Sequence, residues 1–247
     1  MPRGNKEAVL NYQVPVPPLP VQSEIVKILD NFTELVAELV AELAARKKQY
    51  EYYRDKLLSD DMGASGIVWR TLGEIADIKT GRKPKTVLEE GLFEYINAGT
   101  SNSGYTNDFS FPGDTVTTPS RGQGGIGFVG YQKNPFWLGP LCYGIRTKDP
   151  GVICNRFLYH FLCSNSEKIT QKKNEGGTPA LNLVDLQTIQ IPLFSLPDQQ
   201  HIVAILDRFD ALCNDMTSGL PAEIEARQKQ YEYYRDKLLM FRPLSQP

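Results

Sequence analysis

Between residues 25 and 57 the apolar positions recur at alternating spacings of four and three. Ile25, Leu29, Phe32, Val36, Leu39 and Leu43 lead on to Arg46, Tyr50, Tyr53 and Leu57, and most of the residues between them are polar. That period is the heptad seam of a helix that needs a partner helix. A helix from about Val21 to Asp60 would be ~60 Å long, too long to wrap one small core. A matching pattern lies near the other end of the chain: Ile202, Leu206, Phe209, Cys213 and Met216, then Leu220, Ile224, Arg227, Tyr231, Tyr234 and Leu238. The first helix leads into the intervening segment and the second leaves it, so as a side-by-side pair they must run antiparallel.

The two arms are copies. KQYEYYRDKLL stands at Lys48–Leu58 and again at Lys229–Leu239. Upstream, at an offset of 177, Ile25, Val26, Ile28, Leu29, Asp30 and Phe32 answer to Ile202, Val203, Ile205, Leu206, Asp207 and Phe209, and Asn5–Pro20 answers to Asn182–Pro197. The offset then rises to 181, and Ser218-Gly219-Leu220-Pro221 falls where the four residues enter. Proline followed by Glu223 suits the first turn of a new helix, which predicts a break near residues 218–221. The seam explains Tyr50, Tyr53 and Leu57. It does not explain the identity of Lys48, Glu51, Arg54, Asp55 and Lys56 with their second copies, which a surface contacted twice by the same partner would. The candidate partner-binding residues are therefore Tyr50, Tyr53, Arg54, Tyr231, Tyr234 and Arg235.

The middle of the chain changes period. A short helix or turn in WRTLGE precedes a strand at Ile75–Lys79, and alternating runs predict strands at Phe93–Asn97, Thr115–Pro119, Gly127–Gln132 and Leu141–Arg146. Asn155–Ser164 reads as a helix with Phe157, Leu158, Phe161 and Leu162 on its apolar face, and a further strand leads into the second arm. The expected fold class is α+β: one strand-rich mixed α/β domain on a long antiparallel two-helix coiled-coil stalk. Three motifs here suggest chemistry and lack its context. Gly122–Gly127 matches G-x-G-x-x-G but runs into strand and turn residues, where a phosphate cradle needs a helix. Asn134–Trp137 resembles the methyltransferase motif N-P-P-[YFW] but carries Phe136 for the second proline, and Asp77-Ile-Lys79 echoes a nuclease D-x-K without a partner acid.

What the middle segment does offer is four polar loops: KTGRKPKT, NAGTSNSGYTND, PSRGQGG and QKKNEGGTPALN. Arg and Lys contact phosphates and guanine, and Asn and Gln read adenine. Lys79, Arg82, Lys83, Lys85, Asn102, Arg121, Gln123, Lys172, Lys173, Asn174 and Thr178 are the candidate DNA-binding residues. The net charge of −2 argues against a protein that coats nucleic acid non-specifically. The segment from Gly66 to Pro197 nevertheless holds 13 Lys/Arg against 11 Asp/Glu, which leaves the acidic excess to the arms. With 41% hydrophobic and 23% charged residues the chain is of ordinary globular composition. No run of about 18 apolar residues and no signal-peptide stretch is present, so a cytoplasmic protein without a membrane segment is expected. Cys142, Cys154, Cys163 and Cys213 show no C-x-x-C spacing, and free thiols are expected.

The succession WRTLGEIADIKTGRKPK, GGTPALNLVDLQTIQIPLFSLPDQQHIVAILDRFD and LPAEIEARQKQYEYYRDKLL resembles the specificity subunit of type I restriction-modification enzymes. The resemblance spans most of the chain from Trp69 to Leu239. It implies a non-catalytic subunit whose recognition domain reads half of a bipartite site in double-stranded DNA and whose helices dock methyltransferase subunits, and restriction subunits through them. S-adenosylmethionine, ATP and Mg would belong to those partners, with no cofactor in this chain. The family pattern has two recognition domains, whereas this sequence holds both helices and only the second domain. On that pattern residues 1–20 are the tail of a missing first domain, ending in its last strand at Asn5–Pro20. Residues 21–62 are the first conserved helix, 63–197 the recognition domain and 198–241 the second helical region. A homodimer could rebuild a bipartite reader. The alternatives are a coiled-coil adaptor or interfering fragment that binds methyltransferase subunits without reading DNA, and a minimal methyltransferase or nuclease, whose motifs are missing.

Overall fold

A computed structural model describes residues 6–11, 14–58, 67–122, 125–174 and 179–241. The chain forms two compact units, one of residues up to Lys48 together with those from Asp210 onward, the other Gln49–Phe209.

The first unit is helical: it holds α1 (Lys6–Leu10), α2 (Leu19–Leu57) as far as Lys48, α7 (Leu196–Asn214) from Asp210 onward, and α8 (Leu220–Leu239). All three long helices begin Leu-Pro, because proline fixes a helical φ where the missing N–H costs nothing. Along α2 the seam residues Leu29, Phe32, Val36, Leu39, Leu43 and Arg46 are half-buried among exposed neighbours. The antiparallel pairing shows in two places. Phe32 stacks on Tyr234 with ring centroids 5.4 Å apart, and burial lifts the Cys213 thiol above its ordinary value while the charges of Lys47 and Arg46 partly offset this.

α7 stops at Asn214 and α8 starts at Leu220. The Asp215 carboxylate accepts from Thr217 N, Thr217 Oγ1 and Ser218 Oγ, which holds its pKa well below the usual range and closes the turn. Gly219 is needed there, since a Cβ would lie 2.6 Å from the Ala211 carbonyl oxygen. Met216, expected on the seam, falls in this turn and is exposed because the helix carrying the seam has already ended.

The second unit is the mixed domain. β1 (Val68–Thr71) occupies part of the segment expected as helix or turn and pairs antiparallel with β11 (Gln190–Leu193), joining the domain's two ends. α3 (Leu72–Ile75) leads into β2 (Ala76–Thr80). The main sheet has the order β2, β8 (Cys142–Thr147), β5 (Thr115–Pro119), β6 (Gly130–Gln132), all antiparallel. A smaller sheet sets β3 (Phe93–Ile96) between β4 (Tyr105–Thr106), antiparallel, and β7 (Trp137–Leu138), parallel. α4 (Asn155–Ser164) lays Phe157, Leu158, Phe161 and Leu162 into the core with Val116, Ile145, Ile191, Ile202 and Leu206. α5 (Ser166–Gln171), β9 (Lys173–Asn174), β10 (Ala180–Leu181) and α6 (Leu183–Gln187) complete it.

One expectation fails at the start of the chain. Lys6–Leu10 is helix α1, and Val14–Pro18 is not a strand. Its repeat partner explains why: α6 is the counterpart of α1, and β11 is a strand because β1 satisfies its backbone. Among the described residues nothing pairs with Val14–Val16.

Within the second unit a polar knot ties three helices together. The Asp207 carboxylate of α7 accepts from Arg156 Nε at 2.7 Å and lies 2.7 Å from Nε2 of the fully buried His160, both on α4. The carboxylate can only accept, so the Nε2 proton faces it and Nδ1 faces the Tyr50 hydroxyl of α2, 3.5 Å away. Arg156 also lies over the rings of Tyr131 and Tyr159, 4.6 Å from each. Burial alone would raise the Asp207 pKa, but the hydrogen bonds from His160 and Arg156 outweigh it and hold the carboxyl below its ordinary value. A carboxyl with a lowered folded-state pKa stabilises the fold above the unfolded value and loses that contribution as pH falls through the folded one. Asp207→Asn should therefore cost about 1 kcal/mol at pH 7 in urea unfolding, since solvent screens the half-exposed carboxylate, and the deficit relative to wild type should shrink at pH 3.

Candidate nucleic-acid interface

Several loops converge at one end of the two sheets because strand pairing brings their ends together. β2 ends at Thr80 opposite Tyr143, near the start of β8, and Pro119, the end of β5, lies opposite Cys142. The smaller sheet reaches the same place, with Gly139 N donating to Ile96 O at 2.7 Å.

The loop after β2 is clipped down. Gly81 N and Arg82 N donate to the carbonyls of Gly139 and Leu138, and Trp137 Nε1 donates to Arg82 O at 2.7 Å. Only glycine permits this approach, since a Cβ on Gly81 would sit 1.7 Å from the Leu138 oxygen. The clip fixes the backbone and leaves the side chains of Arg82, Lys83 and Lys85 exposed beside that of Lys79. Asn97 buttresses the next loop, its Oδ1 accepting Leu141 N at 3.0 Å. A Cβ on Gly125 would lie 3.2 Å from Gly99 N, so the loops after β3 and β5 touch. Arg121 bridges Ala180, Gly122 N donates to Pro179 O and Leu181 N donates to Ser120 O, which brings Pro179 and β10 onto the same face.

The structure therefore gathers exposed Arg82, Lys83, Lys85, Arg121 and Asn174 at or beside one sheet end. Other candidates are engaged within the chain. Lys172 Nζ donates to Thr188 Oγ1 at 2.7 Å, Lys173 is half-buried, and half-buried Asn102 donates to Glu94 Oε1 at 3.5 Å, lining a cavity of about 310 Å³ with Thr117, Phe128 and Tyr159. Gln123 and Thr178 lie outside the described residues. The G-x-G-x-x-G stretch opens no helix: residues 125–127 form a turn that leads to β6, and Gly127 has φ +98°.

The repeated segment presents the same surface twice. Tyr53 stacks on Phe209 at 5.9 Å, as Tyr234 stacks on Phe32 at 5.4 Å, so these tyrosines serve the helix seam. Arg54 lies 5.7 Å over the Tyr50 ring and Arg235 5.9 Å over the Tyr231 ring, each paired with the following aspartate at 2.9 and 2.8 Å. The outward member of each copy is a tyrosine that the seam pattern passes over. Tyr52 is 60% exposed and Tyr233 58%, with Lys56 and Lys237 over their rings. The signal that could have found them was the off-seam identity of the two copies.

The family model for the type I restriction modification DNA specificity domain matches residues 1–45 and 65–226. The chain is 36% identical over 250 residues to the EcoR124I/EcoR124II specificity subunit of Escherichia coli, covering 90% of this chain and 60% of that protein, so it spans less than two thirds of that relative. It is 33% identical to a putative type I specificity subunit of Mycoplasma pneumoniae, S.MpnORF201P, covering 92% of this chain and 95% of that one. The fold is similar to that of the type I S subunit from M. genitalium, with a TM-score of 0.71 at 24% identity over 91% of this chain and 62% of that one. Among the described residues no helix is long and apolar enough to cross a membrane. A sequence match over most of the chain, together with the shared fold, places this protein in the type I restriction-modification DNA specificity family.

Proposed function

We propose that this chain is the sequence-reading subunit of a type I restriction-modification complex, contacting one half-site of double-stranded DNA with the loop face and docking methyltransferase subunits through the duplicated tyrosine surface. The observation that carries the reading is the convergence of basic and amide side chains from loops far apart in sequence onto one end of the sheets. Arg82 and Lys83 stand on a loop whose backbone is pinned by Trp137 and Leu138. In this reading they offer charge to phosphates, and Arg121 and Asn174, both exposed, are assigned to base edges. This chain has no catalytic role in the proposal. S-adenosylmethionine, ATP and Mg act on the partner subunits, and restriction subunits join through the methyltransferase.

The two faces of the proposal are tested separately. Replacing Arg82 and Lys83 together by Ala should weaken binding to all DNA sequences and make the plot of log K against log salt shallower by about 2; an unchanged slope would remove these residues from the phosphate contacts. Arg121→Ala should instead lower affinity for the target by about 1–3 kcal/mol while leaving other sequences nearly unaffected. Uniform weakening would make Arg121 a phosphate contact. For docking, Tyr52→Ala combined with Tyr233→Ala should cost about 2 kcal/mol at each surface, enough to abolish co-purification with the methyltransferase subunit while far-ultraviolet circular dichroism stays unchanged. Co-purification at wild-type level would show that the tyrosine surface is not the docking site.

A further inference from the structure

Around Gly130, in β6, two polar side chains and an aromatic ring converge on space that no side chain fills. A Cβ there would lie 2.8 Å from Thr117 Oγ1, 3.4 Å from the edge of the Phe128 ring and 3.8 Å from Gln132 Nε2. Thr117 is only 2% exposed, yet among the described residues its hydroxyl makes no hydrogen bond, and neither does the Gln132 carboxamide. Among the same residues no fully enclosed polar side-chain atom lacks a partner, so the Thr117 hydroxyl opens into the cavity of about 310 Å³ that it lines. Glu94 and Asn102 add lining from the smaller sheet and the loop after β3. Their mutual contact, 3.5 Å from Asn102 Nδ2 to Glu94 Oε1, is long enough for a ligand to replace and leaves Oε2 unused.

The lining describes its ligand. No lysine or arginine borders the cavity, so a phosphate would find no cation there. A carboxylate only accepts, so the ligand must bring a donor to Glu94, while a hydroxyl and a carboxamide both give and take. The volume is at the small end of ligand-holding cavities and suits one planar ring system, not a base pair. We infer that this cavity is a nucleobase site selective for an exocyclic amine, that of adenine or cytosine. The amine donates to Glu94, Thr117 and Gln132 meet the ring edge, and Phe128 offers its face. Exposed Gly99, Thr100 and Ser101 stand at the cavity with Pro119, on the loops that the proposed function lays on DNA. The base comes either from bound DNA, turned out of the stack so that the whole ring can enter, or from a free nucleoside. The DNA source rests on the proposed function; the chemistry of the site does not.

Titrating the full chain with free nucleosides, followed by saturation-transfer NMR, tests the site without DNA. Adenosine or cytidine should bind with a Kd of about 1 mM, and uridine and thymidine about tenfold more weakly. Gly130→Ala, whose methyl group occupies the site, should weaken binding about tenfold with unchanged circular dichroism. Glu94→Gln, at an exposed position, should erase the discrimination, because a carboxamide also donates to a carbonyl. In a second arm, the target duplex carries an abasic residue opposite each adenine or cytosine in turn. One position should bind about tenfold more tightly, since its pair is already broken, and Gly130→Ala should cancel the gain. Nucleosides that bind while no abasic position tightens the duplex assign the site to a free nucleoside. Nucleoside binding without any duplex binding tells against the proposed DNA reading alone. Silence in both arms, up to about 10 mM nucleoside, overturns the inference. So does uridine bound as well as cytidine and adenosine, or binding indifferent to both variants.

Discussion

Asp207 is the point on which the mixed domain turns. It faces a histidine with no access to water and an arginine sandwiched by two tyrosines. Neither partner can be left without it at low cost, since a buried unsatisfied donor forfeits its hydration for nothing in return. The knot therefore fixes α4 against α7 and brings Tyr50 of α2 to the same place. With α4 held, the sheet that packs on it is held, and with the sheet the ends of β2, β5 and β8 from which the loops project. On the proposed function the loop face must be positioned by elements that do not yield, and this knot supplies part of that rigidity.

The helical repeat uses one design under two loads. Where α7 is covered by the mixed domain, Gln199, Ile202, Leu206 and Asp207 are buried or bonded. Where α2 repeats them at Gln22, Ile25, Leu29 and Asp30, the same side chains keep their helical geometry and one local hydrogen bond, from Gln22 to Pro17. The four-residue change of offset is absorbed without disturbing either copy, because the Asp215 turn ends one helix and Pro221 starts the next. The tyrosine surface survives this change nearly unaltered, down to the lysine over each outer ring. An insertion that left two surfaces alike is what the proposed docking requires.

Much of this was legible in the sequence because it is local. Seam positions of α2 from Leu29 to Arg46 are half-buried, α4 runs over Asn155–Ser164 as its apolar face implies, and β5 covers Thr115–Pro119. What the sequence hid was set by distant partners. Val14–Pro18 reads as a strand by its likeness to Pro192 and its neighbours, yet strands form by pairing, and β1 has no counterpart for it among the described residues. Asp207 and His160 are 47 residues apart, and only the fold makes them neighbours. Polar loops suggested a DNA-binding face, but composition could not say that Lys172 donates to Thr188 while Arg82 is exposed. Tyr52 escaped because the seam drew attention to the tyrosines on either side.

The central claim is that the loops at the sheet end choose the DNA sequence. The most direct measurement exchanges residues 81–85 and 119–122 for the corresponding loops of another member of the family, then maps methylated motifs genome-wide in cells that also supply the methyltransferase subunit. The account predicts a methylated motif altered in its base identities, with methylation itself retained. An unchanged motif with full methylation would contradict it, and would move sequence choice away from this face.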